Sequence, residues 1–142
     1  MNYVFDSSSL IYFGKSRVLE KVVLLKGRKF IPKKVYDEVV VKGFERGDFE
    51  ASYIDGLIKK KAFVILETKS NIVESELLSD ADKEVLSLAK ENKCVCVMDE
   101  IYGNNVAESL GIESHGSVFI LIKLVKEKII SKKELKKYLD EM

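Results

Sequence analysis

The chemistry this chain could perform starts with acids that end hydrophobic runs. In 3-YVFDSSSLI-11 a short apolar stretch stops at Asp6 and three serines follow. In 94-CVCVMDE-100 a second apolar stretch stops at Asp99 and Glu100. Functional groups of a parallel sheet collect beyond the carboxyl ends of its strands. If the two strands are parallel neighbours, Asp6 and Asp99 share one edge, within reach of one cation. Two like charges about 4 Å apart repel by roughly 4 kcal/mol at an effective dielectric near 20. Several carboxylates gathered there need protons, basic neighbours or a divalent ion. Donors that are all oxygen suit Mg²⁺ or Mn²⁺ better than zinc.

Helical geometry selects a third acid. In 77-LLSDADKEVLSLAKE-91, residues Leu78, Ala81, Val85, Leu86 and Ala89 form one apolar stripe. Asp82 falls inside that stripe, whereas Asp80 falls on the far side with Ser87 and Glu91 and is expected to face water. A carboxylate on the buried side requires a partner. A local alternative stays open: Ser79 as N-cap with Asp82 at the third helical position, the spacing of a capping box.

The elements that must position these acids can be read from apolar periodicity. Strands are expected at 3–5, 29–31, 63–66 and 94–98, and helices at 8–24, 33–42, 47–60, 80–91, 101–110, 117–127 and 132–141. Pro32 stands where a helix can begin, since its missing N–H is not needed there. Strands alternating with helices imply an α/β fold, a three-layer α/β/α single domain over 1–142 with a mostly parallel sheet. On a wheel of 33–42 the apolar positions scatter, so periodicity does not choose between Asp37 and Glu38.

Composition excludes more than it selects. With 46% hydrophobic and 33% charged residues the chain is an ordinary globule, not a disordered one. A net charge of +1 neither demands nor forbids nucleic acid, because a balanced total can hide a local patch. The longest apolar run, Val118 to Val125, is broken by Lys123, so no membrane span is expected. The N-terminus lacks the basic segment of a signal peptide, and a cytoplasmic location is expected. Cys94 and Cys96 read as small hydrophobes in a reducing compartment; with His115 as the one histidine they cannot complete a zinc site. No G-x-x-x-x-G-K-[ST] loop is present for an NTPase. No D-x-D follows the first strand, as a phosphoryl-aspartate hydrolase would want.

With these pieces placed, the chain resembles the PIN-domain family of metal-dependent ribonucleases, which includes the VapC-type toxins. The opening 6-DSSSLI-11 is similar to the family's D-x-S-x-L-I start, and 31-IPKKVYDEV-39 to its P-x-x-V-x-x-E element, which points to Glu38. The run 77-LLSDADKEVLSLA-89 resembles the third motif and 97-VMDEIYGNNVAESLGI-112 the fourth, usually T-D-D followed by a helix and L-G-I. The tail 116-GSVFILIKLVKEKII-130 resembles the ending of an uncharacterised PIN-like subgroup. Two positions depart from the pattern. Met98 stands where a hydroxyl residue often precedes the fourth-motif acid, and Glu100 stands where a second Asp is common.

The resemblance implies cleavage of single-stranded RNA by water, leaving a 5′-phosphate and a 3′-hydroxyl. It implies that Asp6, Asp82 and Asp99 hold one or two Mg²⁺ or Mn²⁺ ions, with Glu38 binding directly or through water. Ser8 is the expected supporting hydroxyl, with a helix cap from the same serine cluster as the alternative. Glu100 is a supporting acid or a favourable charge at the start of the next helix. Lys33, Lys34 and Asn104 are candidates for substrate contact; the lysines would steer RNA. Gly103 reads as close packing and His115 as a loop or helix-start residue. The implied partners are RNA, an antitoxin protein and a second copy in a homodimer. The alternative is a degenerate PIN domain that binds RNA or a protein partner without catalysis.

Overall fold

Tyr3, Val4 and Phe5 are all fully buried. Burial of successive residues means that both faces of this strand are covered, as in the middle of a parallel sheet. The computed structural model describes all 142 residues. Strand β1 (Tyr3–Phe5) leads into helix α1 (Ser7–Lys15) and the short α2 (Leu19–Val22). Strand β2 (Lys29–Pro32) follows, then α3 (Lys33–Tyr36), a π-helical turn (Asp37–Val41), α4 (Lys42–Arg46) and α5 (Phe49–Lys59). The chain continues through β3 (Val64–Leu66), α6 (Asp80–Asn92), β4 (Val95–Val97), α7 (Ile101–Ser109), β5 (Ser114–His115), α8 (Ser117–Lys126) and α9 (Lys132–Asp140).

All strand pairs are parallel, in the order β3-β2-β1-β4-β5. The chain builds outward from β1 to β3, then returns to the other side of β1 to lay down β4 and β5. The order therefore reverses between β1 and β4, and a crevice at such a switch point is where open α/β sheets bind ligands. Helix α6 packs across β1, β2 and β4. Helix α1 meets the sheet through Phe13, whose ring stands edge-on to Phe5 at 6.3 Å, and Phe63 meets Phe5 in the same way at 5.6 Å. One contiguous core of 34 residues joins the layers.

Four departures from the sequence expectation have local causes. The expected helix 8–24 breaks after Lys15, because Arg17 takes a left-handed conformation (φ 57°) and Val18 N–H bonds back to Phe13 O. Within 33–46 the helix passes through the π turn, where Lys42 N–H reaches the carbonyl of Asp37, five residues back. The buried residues Val35, Val39 and Val40 keep helical spacing, and Asp37 and Glu38 flank their face on either side, so periodicity does not place Glu38. Strand β5 was not expected; it is two residues long, polar, and pairs Cys96 with Ser114 and Val97 with His115. His115 is thus a strand residue, its ring stacked on Phe119 at 3.8 Å. Finally, Asp80 faces solvent as expected but Ser87 does not: Ser87 is buried and its Oγ accepts the Ile72 N–H at 3.2 Å. Glu91, further along that face, accepts from Thr68 Oγ and from the N–H groups of Lys69 and Ser70, so the 68–72 segment lies along the outer side of α6. No helix is long and apolar enough to cross a membrane.

Candidate active site

The β1–β4 register brings the strand-end acids together. Phe5 pairs with Val97, so Asp6 begins one residue beyond the ladder and donates its own N–H to Val97 O at 3.1 Å. Asp6 is also the N-cap of α1: its Oδ1 accepts the Ser9 N–H at 2.8 Å, as Asp does at this position. Ser9 Oγ donates to the Asp6 carbonyl at 3.1 Å, which fixes the turn. Asp6 is only 2% exposed. Burial first, then the charges of Asp82 and Asp99, push its carboxyl up to about 6, against the pull of the Ser9 bonds.

Asp82 is the third residue of α6. Its N–H donates to the Ser79 hydroxyl at 3.1 Å, so the cap anticipated from sequence is present. The cap does not remove the carboxyl from the cluster. Burial raises its pKa, Glu100 and Glu38 raise it further, and hydrogen bonding with Ser79 opposes them. Capping and membership of the acid cluster therefore coexist in one residue.

The π turn settles which acid of 37–38 turns inward. Asp37 pairs with Lys33 at 2.6 Å on the outer side. Glu38 accepts from Ser7 Oγ at 2.9 Å, which ties the π turn to the first residue of α1, next to Asp6. Asp99 lies two residues past the β4 ladder and is open to solvent. Its two oxygens accept from one residue: Ser117 N–H bonds Oδ1 at 2.6 Å and Ser117 Oγ bonds Oδ2 at 2.6 Å. Asp6, Asp82, Asp99, Glu38 and Glu100 thus lie within electrostatic reach of one another in an overlapping chain.

Other expected contributors are placed differently. Ser8 is exposed, and the donor on Asp6 is Ser9. Glu100 folds back as N-cap of α7, accepting from Tyr102 N–H at 2.9 Å and at close range from Gly103 N–H. Asn104 is absorbed by the fold: its Nδ2 donates to Met98 O and Glu100 O, both at 2.8 Å, and its Oδ1 accepts from Ser114 Oγ. Both ends of the amide are therefore engaged within the protein, which is how the structure places this candidate for substrate contact. Lys33 is held by Asp37 and lies over the Tyr36 ring, 5.4 Å from its centroid. The Lys34 ammonium is exposed and in no ion pair, and its backbone N–H donates to the buried Glu84 at 3.2 Å. Gly103 is a packing residue, as expected: a Cβ there would meet Met98 Sδ at 2.3 Å.

The contacts to these acids that sequence reasoning missed come from serines. Ser7, Ser9 and Ser117 each hold one acid, and only the Ser9 contact is local enough to have been read from a capping pattern. The donors are all oxygen, and Asp6 and Asp82 carry raised pKa values that a cation would relieve. As the side chains stand, no three of them close around a common point at coordinating distance. Mg²⁺ does not demand that, because it keeps several waters and is commonly held by one or two carboxylates. The donor set fits such an ion and does not form an all-protein cage.

Comparison with known structures agrees with the topology. A PilT N-terminus domain protein from the hyperthermophilic archaeon Sulfolobus solfataricus P2 superposes with a TM-score of 0.60 at 12% identity, over 88% of this chain and 94% of that one. A domain of a functionally unknown protein from Methanocaldococcus jannaschii DSM 2661 superposes with a TM-score of 0.54 at 15% identity, over 82% of this chain and 91% of that one. At such identities the likeness is one of fold. No functionally curated protein shows significant similarity to the chain. The family profile described as a PIN domain matches residues 2–142. A five-stranded parallel sheet, acids at its switch point and a profile match along nearly the whole sequence lead to one assignment: the chain belongs to the PIN-domain family.

Proposed function

We propose that the protein is an endoribonuclease that cleaves single-stranded RNA with the help of Mg²⁺ or Mn²⁺ at the carboxyl edge of β1 and β4. PIN domains are generally nucleases, and the coarser statement, a nuclease-type fold, follows from the family. One observation carries the finer one: a buried Asp6 with its carboxyl raised to about 6 and two further acids facing it. Such a cluster opposes its own ionisation unless something positive is added.

A divalent ion supplies that charge, together with Lewis acidity toward phosphate and water. The residues of the chain do the rest. Asp6 and Asp99 are the ion's direct holders, each fixed by a serine, and Asp82 adds charge from the facing helix. Glu38, tied to Ser7, orients water beside them. Lys34, the free ammonium at the start of α3, draws the RNA backbone toward the edge. A flexible single strand can lay its phosphates against so acidic an edge, which a stiff duplex does less readily. The resemblance adds an antitoxin partner and a homodimer as further parts of this reading.

The test is cleavage of labelled single-stranded RNA with Mn²⁺ or with chelator. Asp6→Asn and Asp99→Asn are each expected to lose at least about 100-fold in rate, the scale of removing a key electrostatic group. Unchanged cleavage in both variants, or cleavage that survives chelator, would refute the proposal. A second reading, a PIN domain that binds RNA or a protein without cutting, is favoured by two features. No three acids converge, and Glu100 is committed to capping α7. Calorimetry showing no uptake of Mn²⁺ by the wild-type protein would select it.

A further inference from the structure

Asp99 is held by nothing on its own strand. Met98 before it is fully buried, its sulfur packed against Gly103, and Glu100 after it turns to the start of α7. What fixes the Asp99 carboxylate arrives just beyond the edge strand, at the start of α8. Met98 N–H donates to His115 O at 2.9 Å, and this step of the β4–β5 ladder sets Gly116 and Ser117 opposite the acid. Helix α8 then begins without a cap of its own, because its N-cap residue is Gly116. The Asp99 carboxylate fills that place.

We propose that Ser117 is the positioning residue of Asp99 and that Gly116 keeps the space this requires. The proposal rests on the reading of Asp99 as a holder of the divalent ion. Ser117 is fully buried, and it engages the two carboxylate oxygens separately, through its N–H and its hydroxyl, both at 2.6 Å. Two bonds to two oxygens fix the plane of the carboxylate, which a single bond would leave free to turn. Charge-assisted bonds of this length are the strong kind. The first N–H groups of a ten-residue helix also favour a negative charge. Gly116 is needed for its lack of a side chain, not for unusual torsion angles. Its backbone is extended (φ −87°, ψ −177°), but a Cβ there would lie 2.7 Å from Asp99 Oδ1. Both oxygens keep further acceptor capacity on their outer sides. Ser117 thus sets the direction from which Asp99 can meet an ion while leaving it able to bind one.

A purely structural cap makes a different prediction from a positioning residue, and the experiment separates them. The wild type and the Ser117→Ala, Ser117→Thr and Gly116→Ala variants are titrated with Mn²⁺ alone by calorimetry, melted in chelator, and assayed for RNA cleavage with kcat and KM resolved. Partners that orient metal ligands typically account for about 10- to 100-fold in affinity. Ser117→Ala is expected to lose Mn²⁺ affinity on that scale and to lower kcat more than it raises KM. Ser117→Thr, which keeps both donors, restores most of the loss. If Ser117→Ala melts below the assay temperature, Gly116→Ala carries the same expectation, since it displaces Asp99 with Ser117 intact. A Ser117→Ala protein that melts earlier in chelator yet binds Mn²⁺ like the wild type overturns the proposal and leaves the nuclease reading standing. A wild type that neither binds Mn²⁺ nor cleaves RNA overturns both.

Discussion

Two buried charges sit at opposite ends of the same sheet, and the protein treats them in opposite ways. Lys29 opens β2 at the amino edge, and its ammonium donates to the carbonyls of Val23 at 3.2 Å, Gly27 at 2.8 Å and, more closely, Leu25. An ammonium has three N–H groups, so this set satisfies it fully. Burial lowers its pKa, and the charge of Glu127 works against that shift. Asp6 occupies the carboxyl edge. It receives the Ser9 bonds, but its other neighbours, Asp82 and Asp99, add to the effect of burial instead of opposing it. A charge surrounded by its own dipoles is architecture. A charge whose charged neighbours have its own sign gains from a cation supplied from outside, and on the proposed function that difference makes the carboxyl edge the working end.

The pH dependence of stability should expose the contrast most strongly. Folding raises the Asp6 carboxyl from an ordinary value near 3.8 to about 6, so the folded chain holds this proton more tightly than the unfolded one. The associated stability is fully present below pH 4 and is lost as the pH rises through 6. By pH 7.5 in chelator the group is ionised, at a disadvantage of about 3 kcal/mol. Asp6→Asn removes the effect while keeping a good N-cap. The variant should therefore gain on the wild type as pH rises from 4 to 7.5, with Mn²⁺ restoring the wild type at the upper end. Denaturation curves of the two proteins that stay parallel across this range would erase the contrast with Lys29.

Much of this arrangement is visible in the sequence, for physical reasons. Strands β1 and β4 are covered on both faces and therefore read as unbroken apolar runs, and β2 does so after its opening Lys29. Asp6 and Asp99 stand out because each ends such a run, and Asp82 because a helix repeats regularly enough to place it. Glu38 was reachable through the family resemblance alone, because Asp37 and Glu38 flank the buried side of Val35, Val39 and Val40 on a helical wheel and periodicity does not choose between them. Strand β5 is short and polar, and at the sheet edge it needs no apolar signature. The serine contacts were hidden for another reason. Ser7 and Glu38 are 31 residues apart, and Ser117 and Asp99 are 18 apart, so only the folded register brings them together.

Removing the compensated charge is the next largest test. Lys29→Met keeps the length of the stem and deletes the ammonium, leaving three carbonyls without their donor. A buried polar group stripped of its partner costs about 1–3 kcal/mol. Water can reach some of these carbonyls, so a total loss of about 2 kcal/mol is expected. Chemical denaturation should show a lower midpoint with an unchanged slope. Mn²⁺ affinity should not move, because the amino edge lies at the far end of the strands. A variant as stable as the wild type would mean that the ammonium is tolerated at this edge instead of used by it.

The smallest effect concerns Glu100, which belongs to both halves of the contrast. It lies close enough to raise the Asp82 carboxyl, yet its own oxygens are spent on the N–H groups of Tyr102 and Gly103. If capping is its main work, Glu100→Ala should lower stability by about 1 kcal/mol, the usual loss for an N-cap. It should also slightly ease the ionisation of Asp82 and leave Mn²⁺ affinity within about threefold, a change worth less than 1 kcal/mol. If Glu100 instead swings out to meet the ion, the pattern inverts: affinity falls by tenfold or more, on the order of 1.4 kcal/mol, while the melting temperature in chelator holds. Asn104 weighs toward the first outcome, because its Nδ2 grips the Glu100 carbonyl and the Met98 carbonyl at once. A backbone pinned on both sides of Asp99 keeps the start of α7 in place, and with it the donors that hold the Glu100 side chain.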